Sequence, residues 1–164
     1  MDGSTTDVPD SKASDAFFGR PSSQSRDGAF AQVRGVVAAE SGTGSLLGAA
    51  LGRYRTSEQE LARDLPEQEC FGPGMIVLAD RRFLSWKMAR DFLATGAHIL
   101  WRASASFALK PVKVLQDGTC LAELKPPCKS DGPAVTVRVI EYSVVAHGVG
   151  GLAEVAQAVA ELGG

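Results

Sequence analysis

Asp80 is the residue of this chain best placed to do chemistry. It follows MIVLA, a short unbroken apolar run preceded by the turn residues FGPG. That pattern is a strand buried on both faces of a parallel or mixed sheet. In open α/β sheets functional groups collect at the carboxyl ends of strands, so a carboxylate at this point suits metal coordination or acid–base work. The same aspartate would serve as a turn residue or a helix N-cap. Arg81 and Arg82 beside it could neutralise the carboxylate or meet a phosphate, and spacing alone leaves both open. Other reactive side chains are poorly arranged. Cys70, Cys120 and Cys128 form no C-x-x-C pair, and neither His98 nor His147 stands at zinc-ligand spacing from them. They read as reduced thiols, and no Ser-His-Asp or Cys-His arrangement offers a protein nucleophile.

The elements that must position Asp80 can be read from periodicity. Residues 1–28 are rich in Gly, Ser, Pro and Asp, and are expected to be an irregular surface segment. AFAQVRGVVAAES and SLLGAALGRY, separated by Gly42-Thr43-Gly44, predict two strands of an antiparallel hairpin, over 29–41 and 45–54. Ser57 followed by Glu60 has capping-box spacing and predicts a short helix that runs to about 65, before Pro66. After the strand at 75–79, Trp86, Ala89, Arg90 and Leu93 are spaced by three and four, which predicts a helix over 84–95 with Gly96 as its stop. AHILWRAS predicts a strand over 97–103. This succession indicates a mixed α/β sheet that holds all four strands, 29–41, 45–54, 75–79 and 97–103. Beyond residue 104, KPVKVL, TCLAEL and VTVRVIEYSV are short alternating runs of a small β-rich insertion or extension. In 150–164, Leu152, Val155, Ala156, Val159 and Leu162 fall on one stripe and predict a helix.

Composition bounds the function. The chain has 164 residues, 45% hydrophobic and 22% charged, within the range of a soluble globular domain. No stretch approaches the roughly 18 apolar residues of a membrane helix, and MDGSTTDVPD is unlike a signal peptide, so a cytoplasmic location without membrane contact is expected. The net charge of −2 argues against a free-standing DNA binder. Its distribution is uneven: residues 80–129 hold nine basic and four acidic side chains, a surplus of five positive charges. Arg81, Arg82, Lys87 and Arg102 are its candidate contacts for DNA phosphates.

Three separated motifs carry a family resemblance. They are DGSTTDVPDSKASDAFFGRP at 2–21, GAFAQVRGVVAAESGTGSLLGAALGRYRTSEQELA at 28–62 and MIVLADRRFLSWKMARDFLATGAHILWRASAS at 75–106. In this order they are similar to the catalytic domain of DDE-type DNA transposases of insertion-sequence family four, over roughly residues 2–144. The resemblance implies an α/β, ribonuclease-H-like fold in which one strand ends in a first catalytic aspartate and a later strand in a second. Asp2 matches the family's D-G motif and Asp80 the aspartate of its A-D-R-G-F motif. It further implies a partial catalytic core over 1–106, a β-rich insertion over 107–144 and a non-matching tail over 145–164.

The implied chemistry is phosphodiester cleavage and strand transfer with two Mg²⁺ or Mn²⁺ ions. One ion activates the attacking oxygen and the other stabilises the leaving oxygen. Hard cations take oxygen ligands, which is why Asp2 and Asp80 would be metal-binding and catalytic together. The sequence departs from the family in three places. Arg82 stands where the family has glycine. Asp2 is the second residue, without a strand leading into it. After VRVIEYSV no Tyr-Arg-Glu-Lys pattern supplies the third carboxylate; Glu141 belongs to an alternating strand, and Glu154 and Glu161 read as solvent-facing helix residues. The expectation is therefore a transposase piece inactive alone, with transposon-end DNA and an intact transposase subunit as partners of the family. A non-catalytic DNA-binding or transposase-inhibiting module is the alternative.

Overall fold

The computed structural model describes residues 1–23, 26–27, 30–104, 107, 109–144 and 154–160. Helices and strands are mixed, and the chain divides into two compact units, Met1–Cys70 and Phe71–Gly164.

The first unit contains β1 (Asp2–Asp7), α1 (Lys12–Phe18), the two-residue strands β2 (Ser22–Ser23) and β3 (Arg26–Asp27), β4 (Gln32–Ala39), β5 (Leu46–Arg53) and α2 (Glu58–Ala62). The expected hairpin is β4 and β5, antiparallel, with Val36 opposite Ala50. Its turn is fastened by Glu40, whose carboxylate accepts the N–H groups of Gly42 and Thr43 at 2.7 and 2.6 Å. Ser57 caps α2 as its spacing predicts, its hydroxyl accepting the Glu60 N–H at 3.1 Å. Leu61, Ala62 and Leu65 are buried with Val36 and Ala50 and form the small core of this unit.

Residues 1–28 are not irregular throughout, contrary to the expectation. β1 pairs along its whole length with β4, from Asp2 opposite Val37 to Asp7 opposite Gln32. The polar segment carries the β-branched Thr5 and Thr6, and pairing satisfies the outer hydrogen-bonding edge of β4, which composition cannot reveal. α1 starts at Ser11, whose hydroxyl accepts the Ser14 N–H at 3.0 Å. It ends at Gly19.

The second unit contains β6 (Ile76–Ala79), α3 (Trp86–Leu93), β7 (His98–Ala103), β8 (Pro111–Val114), β9 (Cys120–Leu124), β10 (Val135–Val144) and β11 (Glu154–Ala160). They form one six-stranded sheet in the order β6-β7-β11-β10-β9-β8. β6 and β7 are parallel, and the other pairs are antiparallel. A parallel pair needs a crossover, and α3 supplies it. Ser85 caps α3, and Gly96, at φ 85°, follows its end in the left-handed conformation that favours glycine. Trp86, Met88, Ala89 and Phe92 are buried on α3, as are Ile99, Trp101 and Ala103, the alternate residues of β7. Phe71, Phe92 and Trp101 make successive edge-to-face contacts at 5.1 and 5.5 Å.

Two expectations are corrected here. The four strands of the predicted single sheet lie in two: β4 and β5 in a three-stranded sheet, β6 and β7 in the six-stranded one. Both β4 and β7 already have a neighbour on each side, which uses the backbone groups of both their edges. The expected β-rich run is present, and its strands β8, β9 and β10 extend the sheet of β6 and β7 through β11. The predicted helix over 150–164 is strand β11 where it is described, hydrogen-bonded to β10 on one side and β7 on the other. A weak alanine-rich helical stripe yields to a central slot in which both backbone edges find partners. Leu152, Glu161, Leu162 and His147 lie outside the described residues.

Candidate functional site

Asp80 follows the last residue of β6, as its sequence context predicts. Its backbone is still extended, at φ −74° and ψ 165°, and it then caps a single 3-10 turn over Arg81–Phe83. The cap is made by the main chain: the Asp80 carbonyl accepts the Phe83 N–H at 3.1 Å, and no side-chain cap bond is formed. Phe83 and Leu84, 2% and 6% exposed, pin the turn to the core and fix where the strand lets go. Asp80, Arg81 and Arg82 are exposed together at this end of the sheet. Arg82 occupies the turn with ordinary right-handed geometry, so nothing there calls for the family's glycine.

The sheet register adds Arg102 to this group. Ala79 and Trp101 are the last paired residues of the parallel ladder between β6 and β7. Asp80 and Arg102 are the next residue on each strand, so they occupy neighbouring positions at the carboxyl ends of both. Trp101 is buried, whereas Arg102, His98 and Leu100 alternate onto the other face.

Lys87 lies on α3 and is committed elsewhere. Its ammonium meets Asp91 at 2.6 Å, four residues on. Arg90, which the sequence reading did not select, donates to the same carboxylate at 2.9 Å and stands 4.7 Å over the Trp86 ring. The spacing of Lys87 and Arg90 by three and of Trp86 and Arg90 by four was the available signal. Burial raises the Asp91 carboxyl, but the hydrogen bonds from Lys87 and Arg90 outweigh it and hold the group below the ordinary aspartate value. Trp86 donates its indole N–H to the Pro133 carbonyl at 2.9 Å, tying α3 to the segment before β10.

Asp2 has a different setting. It is the first residue of β1, at the amino end of an antiparallel edge strand, and its Oδ1 accepts the Gly3 N–H at 2.8 Å. Gly3 faces α2 so closely that an added Cβ would lie 2.5 Å from the Glu58 side chain. Asp2 and Asp80 belong to separate sheets of separate units.

Asp80 supplies a hard oxygen donor that suits Mg²⁺ or Mn²⁺, yet one carboxylate is a small part of an octahedral shell. Among the described residues no group of three or more His, Cys, Asp or Glu side chains converges. Glu141 stands exposed on β10 within an alternating strand. Nor do the candidate residues line the groove of about 540 Å³ beside β8 and β9, where Phe107, Leu109 and Val112 meet Lys110 and Lys125. Among the described residues no helix is long and apolar enough to cross a membrane. No protein-family model matches the chain, and no curated protein matches it.

Proposed function

We propose that this chain is a piece of the catalytic domain of a DDE-type DNA transposase, of ribonuclease-H-like descent, that contacts DNA phosphates around Asp80 and does not cleave DNA alone. The observation that carries the reading is the position of Asp80 at the carboxyl end of a parallel strand in a strand-helix-strand unit, where α/β sheets place their ligands. Arg81 and Arg82 beside it and Arg102 at the neighbouring register position supply positive charge for a phosphate backbone. The three ordered motifs over residues 2–106 supply the link to transposition.

Binding to phosphates without base contacts is sequence-independent and steeply salt-dependent. Catalysis needs more, because two-metal chemistry requires both ions to be fixed within a fraction of an ångström. The sequence matches no third carboxylate of the family, and the proposed inactivity rests on that gap. The same gap favours the second reading, a non-catalytic module that binds DNA or pairs with an intact transposase.

Purified chain incubated with end-labelled duplex DNA tests both halves. The expected result is a mobility shift that fades as salt rises, with no nicking in Mg²⁺ or Mn²⁺. Salt-insensitive or absent binding overturns the DNA-contacting role. Metal-dependent nicking that disappears in Asp80→Ala overturns the inactive reading.

A further inference from the structure

We draw no further inference here: the strongest candidate, the apolar patch of Ile76 and Leu78 on the outermost strand β6 of the six-stranded sheet, is exposed at 62% and 50%, but nothing in the structure shows what covers it.

Discussion

Asp2 and Asp80 are both exposed aspartates on outer strands, yet the strands present them in opposite ways. β6 runs parallel to β7 and ends at Asp80, so the carboxylate is followed by a turn into α3 and accompanied by the end of the neighbouring strand. β1 runs antiparallel to β4 and begins at Asp2, so the residue opposite is Val37 in the middle of a continuing ladder. A parallel crossover gathers several chain ends at one edge of a sheet, whereas an antiparallel meander alternates them. The comparison teaches that identical side chains gain or lose functional meaning from strand direction.

The two outer strands of the six-stranded sheet differ in a related way. β8 carries Pro111, a register shift between Pro111 and Lys113, and Lys113 itself. These are the devices that keep an edge from pairing with other chains. β6 has none of them: its four residues are Ile76, Val77, Leu78 and Ala79.

The largest expected effect lies beneath the Asp80 end of the sheet. Trp101 is fully buried against Phe92, and its indole nitrogen is buried without a hydrogen-bond partner among the described residues. Trp101→Ala should lower unfolding free energy by about 3–5 kcal/mol, as measured by urea titration. Trp101→Phe should cost clearly less, since it keeps an aromatic ring and removes the unpaired N–H. Equal losses in the two variants would show that the indole nitrogen has a partner that matters.

A smaller effect separates the two aspartate regions through DNA. Arg81→Ala and Arg82→Ala should each weaken binding and reduce the slope of log affinity against log salt by roughly one. Lys12→Ala, an exposed change in the first unit, should leave that slope alone. If Lys12 matters as much as the arginines, the phosphate contacts are not centred on Asp80.

Charge removal at the aspartates themselves sharpens the contrast. Asp80→Asn should raise DNA affinity by relieving repulsion from phosphates, while Asp2→Asn should leave it unchanged. Both are exposed, and neither should alter stability by more than about 0.5 kcal/mol. Equal affinity changes in the two variants would erase the distinction drawn between the two strand ends.

The smallest effect is acid sensitivity at α3. The carboxyl of Asp91 is held below its ordinary value in the folded chain. Its contribution is therefore present above the unfolded value near pH 4 and is lost as pH falls through the lower folded value. Because Lys87 and Arg90 are half exposed, the loss should be at most about 1 kcal/mol. Urea midpoints of wild type and Asp91→Asn should converge as pH drops from 6 towards 3; a constant gap would assign the effect to another group.

Local signals in the sequence were sufficient for many elements. The Ser57 cap, the Gly42–Gly44 turn and the helix stopped by Gly96 rest on interactions within a few residues, and the run ending at Asp80 and the strands β8 to β10 carry their own apolar or alternating pattern. Such interactions are set by neighbours in the chain, so pattern and turn chemistry expose them. The place of Asp80 at a strand end was legible for the same reason, and so was the positive charge of Arg81 and Arg82.

Which strand lies beside which is fixed only in the folded chain. The polar β1 forms because β4 offers it an edge, and the alanine-rich β11 is a strand because β7 and β10 leave a slot between them. The same pairing separates Asp2 from the sheet of Asp80 and sets Arg102 beside the position of Asp80. Strand pairing is satisfied by backbone groups far apart in sequence, and these carry no residue-specific mark. The sequence therefore marks the elements that local patterns build, while long-range hydrogen bonding determines which polar or alanine-rich segments become strands and which functional side chains share an edge.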